Sequence, residues 1–278
     1  MAIQVNNTNT ASVTLSPGTA AGALVLGGQG NAASGLNSGI LGSDLGSASG
    51  TSSAIVGASN GSALGTNSAV IANSSGYVSG SYSIAAGGLS SNITSSSSGA
   101  FACNTSSTIA GNSVVLGGSY GGNRFIQGHV AIPASAAPIG FNIGASQAGF
   151  LVLGAETYNA TPRLLTSTNF GGTGFDFNQL SLQSSTPTAY YFKGTVVAYI
   201  NTGAAKSWTF DGLMRTNSPD GFVGTPTIAS NFADAGTSTW TVTLSFDSGN
   251  RALAVTAVGS STNTVRWVCK LETTEVSY

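Results

Sequence analysis

The side chains able to do chemistry are few. His129 is the sole histidine, and Cys103 and Cys269 are the sole cysteines. A Ser-His-Asp or Cys-His site would need His129 as its base, and no serine nucleophile elbow is expected beside it. The phrase Gln127-Gly128-His129-Val-Ala-Ile reads instead as the start of a strand. Zinc sites use three or four His, Cys or carboxylate ligands, and nothing clusters at ligand spacing, so neither metal nor cofactor is expected. Cys269 shares strand parity with Trp267 and Leu271, which places it in a core, while Cys103 reads as part of a turn. Two thiols so far apart suggest free buried cysteines, not a disulfide framework.

Paired carboxylates would permit glycoside hydrolysis, which needs an acid and a base roughly 5 to 9.5 Å apart. Asp211 and Asp220 are the candidates by closeness in sequence, but Asp211-Gly212 and Pro219-Asp220-Gly221 read as turn phrases. The glycine-rich Gly117-Gly118-Ser-Tyr-Gly121-Gly122 lacks the Gly-Lys-Ser/Thr ending of a phosphate loop and reads as a hinge. The expectation from these residues is a protein that is not an enzyme.

The elements that carry these residues are unusual in composition. Of 278 residues only 17 are charged, 8 Lys+Arg and 9 Asp+Glu, while 39 are glycine. Mean hydropathy is +0.21. Low charge beside 41% hydrophobic residues argues against intrinsic disorder. No apolar run is long enough for a membrane span, and the opening MAIQVNNTNT has neither the basic region nor the apolar core of a secretory leader. A net charge of -1 leaves no clustered Lys and Arg for a nucleic-acid groove.

Charge divides the chain. Before Arg124 the single acidic or basic side chain is Asp44, and all three tryptophans (Trp208, Trp240, Trp267) lie beyond it. The Ser/Gly/Ala-rich first part could pass for a linker, but it holds a 15-residue repeat, with units beginning at 20, 35, 50, 65, 80, 95 and 110. The fourth place holds Ser38, Ser53, Ser68, Ser83, Ser98 and Ser113, and the eighth holds Gly27, Gly42, Gly57, Ala72, Gly87, Ala102 and Gly117. Between them lies an apolar step such as Ile40-Leu41, Ile55-Val56 or Val70-Ile71. The period suits a β-solenoid coil of two short strands and two turns, with small residues where backbones stack closely. An ice-binding array would need threonines in register; Thr51 and Thr66 share a place that elsewhere holds Leu36, Ser81, Ser96 and Gly111.

Neighbouring strand residues face opposite ways, yet both are apolar in each unit. One face can fill the coil, and the other then needs a second partner, most simply further copies in a homotrimer. Beyond the repeat the pattern is antiparallel β. Thr239-Trp240 to Phe246 and Val265 to Leu271 alternate with period two, and Asp247-Ser-Gly249-Asn250 should turn the first into a hairpin with Ala252 to Val255.

The phrases Asn37-Ser38-Gly-Ile-Leu-Gly42, Asn67-Ser68-Ala-Val-Ile-Ala72 and Asn112-Ser113-Val-Val-Leu-Gly117 resemble the head repeat of trimeric autotransporter adhesins, a trimeric β-roll, over about residues 20 to 120. The usual unit there is nearer 14 residues, and the family's leader, heptad stalk and membrane anchor have no counterpart, which favours an unanchored fibre. Residues 146 to 278 resemble the C-terminal domain of tailed-bacteriophage tail fibres. The matching phrases are Glu156-Thr-Tyr158 to Leu165, Ala189 to Ala198, Trp208 to Arg215, and Val265-Arg-Trp-Val268 through Val276. Phe170 to Phe177 departs from that pattern.

These resemblances imply an all-β phage fibre: a virion-attachment segment at 1–19, a β-roll shaft at 20–121, and a β-sandwich-like distal domain at 122–278. The expected function is adhesion to the host surface, with another virion protein held at the N-terminus and a bacterial receptor, a carbohydrate among the candidates, at the far end. The rival reading is a structural decoration or neck fibre that recognises no receptor. Receptor contact is expected in the Asn169 to Asn178 loop, where Phe170 could stack on a sugar and Asn169, Asp176 and Asn178 could bond its hydroxyls. The alternative is that the loop's phenylalanines pack beneath neighbouring strands, as large aromatics usually do.

Overall fold

The computed structural model describes residues 15–108, 110–168, 179–183, 186–217 and 219–278. Every regular element among them is a β-strand. The chain divides into two compact units, Met1–Ser97 and Ser98–Tyr278.

The first unit is a β-solenoid. One parallel ladder stacks Leu24–Leu26, Gly39–Leu41, Ala54–Val56, Ala69–Ile71 and the start of Ile84–Ile93, each strand in register with the one 15 residues on. A second ladder stacks Ala32–Ala33, Ser47–Ala48, Ser62–Ala63, Tyr77–Val78 and the end of Ile84–Ile93. Ile40, Ile55, Val70 and Ala85 point inward from the first ladder and meet Ala48, Ala63, Val78 and Ile93 from the second, all buried. The interior is thus filled by one inward apolar side chain from each ladder per coil. The following residues point out: Leu41 is 51% exposed, and Val56 and Ile71 are each 37% exposed.

Three repeat positions have separate causes. At the eighth place the backbone is left-handed, with φ of 58° at Gly42, 59° at Gly57 and 48° even at Ala72, a region costly to residues with a Cβ. Here the requirement is backbone hand, because a Cβ on Gly42 or Gly57 would meet nothing within 4 Å. At the first place the requirement is space: a Cβ on Gly35, Gly50 or Gly65 would come within 2.2 Å of the carbonyl oxygen one coil on. At the fourth place the serines are buried, and Ser68 and Ser83 donate to the carbonyls of Gly65 (2.7 Å) and Ser95 (2.9 Å).

The second unit opens with the same coil, Gly99–Phe101 pairing in parallel with Val114–Leu116, then Val114 with Val130. At Val130–Pro133 the pairing becomes antiparallel, and a long sheet follows in the order Val130–Pro133, Ser146–Thr157, Val265–Ser277, Thr188–Tyr199, Ala205–Arg215, Thr227–Ala233. A four-stranded sheet is built on Ala252–Val258, flanked by Thr241–Asp247 on one side and by Arg163–Leu164 and Leu180–Ser181 on the other. The expected Asp247 to Asn250 hairpin is present. Trp208, Trp240 and Trp267 form the centre of the core, with ring centroids 5.6 Å apart for Trp208 and Trp267 and 6.1 Å for Trp240 and Trp267.

Two turn assignments are corrected. Asp211-Gly212 lies inside the Ala205–Arg215 strand, where Gly212 stands opposite Phe192 and a Cβ would come 2.6 Å from its ring. The glycine makes room for an aromatic across the ladder. Cys103 lies inside the Gly99–Thr108 strand, fully buried.

Candidate functional site

Three adjacent strands of the long sheet bring Glu156, Arg266 and Tyr199 into one row, since Glu156 pairs with Arg266 and Arg266 with Tyr199 in the ladder. The Arg266 Nε donates to Glu156 Oε1 at 2.7 Å, and the Tyr158 hydroxyl donates to Oε2 at 2.6 Å. Arg163 donates to the Glu156 carbonyl (3.2 Å) and holds its guanidinium 5.8 Å from the centre of the Tyr158 ring. Asn201, in the turn after Tyr199, and Thr264, just before the Val265–Ser277 strand, complete a cleft of about 360 Å³. Its aromatic walls are open: Tyr158 is 51% and Tyr199 49% exposed.

The electrostatics keep this carboxylate ionised. Hydrogen bonds from Arg266 and then Tyr158 lower the Glu156 pKa, and the same contacts raise those of Arg266 and Tyr158. A general acid for glycoside cleavage needs the opposite shift. Glu156 is also the one carboxylate among the described residues that line the cleft. The arrangement presents fixed donors and acceptors beside two aromatic rings.

A second hollow of about 380 Å³ lies between Val197, Lys206, Phe232 and Asp234. Its lysine is committed, donating to the carbonyls of Thr237 (3.2 Å) and Trp240 (2.8 Å).

Asn169, Phe170, Asp176 and Asn178, the expected receptor contacts, lie outside the described residues. His129 is buried, its Nε2 3.4 Å from Glu275 Oε1. Around the same carboxylate stand Arg124 (3.3 Å), Gln147 (2.7 Å) and Thr273 (2.6 Å), while Arg124 also bonds the Tyr190 hydroxyl and the Gly144 carbonyl. Burial alone would raise the Glu275 pKa; the close contact with His129, the charge of Arg124 and the hydrogen bond from Thr273 outweigh it and hold the carboxyl at about 2. This cluster ties the Val130 junction into the sheet. Phrases of G-x-S-x-G spacing do occur, contrary to expectation, at Gly57-Ala-Ser59-Asn-Gly61 and Gly117-Gly-Ser119-Tyr-Gly121, but both lie at solenoid corners with no helix after them.

Asp211 accepts from Tyr191 (3.1 Å) and Thr227, and Asp220 pairs with Arg251 (3.0 Å). Both are occupied by structural partners. Among the described residues no group of three or more His, Cys, Asp or Glu could hold a metal ion. Sequence reading missed the Glu156 cleft. Its one local signal is the Glu156-x-Tyr158 spacing where the Ser146–Thr157 strand ends, since extended residues two apart share a face.

No protein-family model and no curated protein sequence matches this chain. Similarity is found among solved structures. One is the tailspike protein gp49 of Acinetobacter baumannii bacteriophage Fri1, a capsular polysaccharide depolymerase, at 10% identity and a TM-score of 0.29 over 81% of this chain and 41% of that one. Another is the tailspike protein of Acinetobacter phage vB_ApiP_P1, at 13% identity and a TM-score of 0.21 over 87% of this chain and 52% of that one. The chain therefore spans about half or less of those proteins, and TM-scores this low carry no argument about its activity.

Proposed function

We propose that this chain is a non-enzymatic fibre of a tailed-phage virion that adheres to the bacterial host surface as a homotrimer. The observation that carries this reading is the row of outward apolar side chains on the solenoid, Leu41, Val56 and Ile71, which recurs with every coil although the interior is already filled. Parallel copies packed on that row would cover it along its length. In this reading residues 1–19 attach to the particle, the repeat is the shaft, and the two sheets of the second unit form a β-sandwich that meets the host. Three weak contacts held rigidly together act at high effective concentration, so adhesion needs no chemical step.

The cleft's single carboxylate supports binding over cleavage, since glycoside hydrolysis calls for an acid and a base together. The test is to add the purified full chain to a panel of capsulated and acapsular bacterial strains and measure cell binding, competition with phage adsorption, and release of reducing ends from their polysaccharides. Binding with competition and no new reducing ends is expected. Released reducing ends would overturn the non-enzymatic reading, and absence of binding from every strain would favour a decoration or neck fibre.

A further inference from the structure

We infer that the cleft between Glu156, Arg266, Tyr158 and Tyr199 is a subsite for a neutral saccharide ring. This rests on the adhesion reading and names the chemistry of the contact. The row Glu156, Arg266, Tyr199 crosses three strands, and with neighbouring strands about 4.8 Å apart it extends for roughly 10 Å. The cleft volume of about 360 Å³ lies at the small-molecule end of binding clefts.

Its polar groups are set in advance. Arg266 and Tyr158 each commit one bond to Glu156, which orients all three. The guanidinium carries five N–H donors in a planar fork, and with its side chain 77% exposed Arg266 keeps most of them open to solvent. Asn201 and Thr264 add groups that both donate and accept. A planar fork, an amide and a hydroxyl converging at the end of one sheet match the adjacent hydroxyls of a sugar edge, while an open tyrosine face matches the C–H face of its ring. The charge of Arg266 is answered by Glu156, and Arg163 stands against the Tyr158 ring without lining the cleft. No lining residue therefore offers an unpaired charge, so the ligand class is a neutral sugar, not a uronate or phosphate.

The experiment uses the full chain against immobilised bacterial polysaccharides, one set neutral and one bearing uronic acids, with Tyr199→Ala and Asn201→Ala as cleft variants. Both residues are exposed, and Phe232→Ala, a still more open aromatic on the same sheet, is the control. At least one neutral polysaccharide should be retained, each cleft variant should weaken it tenfold or more, and Phe232→Ala should leave it unchanged. Retention unaffected by both cleft variants, retention of uronate polymers alone, or no retention at all overturns the inference. Whole-cell binding separates the two claims. Cells that bind both cleft variants as well as the wild type leave adhesion standing and remove this subsite; polysaccharide binding that depends on the cleft, with no cell binding, does the reverse.

Discussion

Gly149 sits so close to His129 that a Cβ on it would come 2.2 Å from the imidazole Nε2. The Thr273 hydroxyl and Glu275 Oε1 would be 2.5 and 2.7 Å away, so three buried side chains crowd a single hydrogen. Gly149→Ala must therefore displace the polar cluster. A loss of roughly 1–3 kcal/mol is expected, as for other overpacked sites, and denaturant melts of the two proteins check it.

The same cluster sets an acid limit. The folded Glu275 pKa of about 2 lies below its ordinary 4.5. A group depressed in this way stabilises the fold fully above the ordinary value, and the contribution is lost as pH falls from there through the folded value. Stability of the wild type should drop between about pH 4.5 and 2 by an amount on the order of a few kcal/mol. Glu275→Gln should be less stable at pH 7, because Arg124 is left buried without its carboxylate, and should have a flatter acid limb. Equal pH slopes in the two proteins would refute this account.

Two glycines seven residues apart should respond differently to the same methyl group. Gly50→Ala places a Cβ 2.1 Å from the Gly65 carbonyl oxygen, backbone against backbone, and should disrupt the stack. Gly57→Ala enters open space and carries only the left-handed backbone cost, about 1–2 kcal/mol. Circular dichroism melts should rank wild type above Gly57→Ala and Gly57→Ala above Gly50→Ala.

Inward and outward positions should also separate folding from assembly. Ile55→Asp puts an unpaired charge inside the coil and should unfold it. Val56→Asp lies on the outer row and should leave strand content intact while abolishing the trimer. Light scattering with circular dichroism distinguishes these outcomes, and a wild-type monomer would end the oligomer proposal.

Burial raises both thiols, that of Cys269 to about 12. A thiol reagent at pH 8 should label neither cysteine in the native protein and both after denaturation. A fresh sample with an interchain band on a non-reducing gel would contradict the assignment of free thiols.

The coils were legible because each rung asks the same few things of the chain: an αL-tolerant residue at the third and eighth places, an aliphatic inward residue, and room at the first. These demands are local and repeat, so Asn37, Asn67, Gly42 and Gly57 announce them. The cleft was not legible, because Glu156 and Arg266 stand 110 residues apart and meet only through the register of a long antiparallel pair. Local chemistry misled in the same way at Asp211-Gly212, where a turn phrase serves to seat Phe192 from the neighbouring strand.

The Val265–Ser277 strand lies between Ser146–Thr157 and Thr188–Tyr199 and is hydrogen-bonded to both. Those two strands cannot become neighbours of a finished sheet until residues 67 to 130 positions downstream have arrived. The solenoid closes each pairing across only 15 residues. Loop closure favours the short separation, and folding rate falls as contacts become less local. During synthesis the coils can therefore stack as they emerge, while the second unit waits with two long strand edges open. Its yield, more than that of the coils, should depend on chaperones and on slow growth at low temperature.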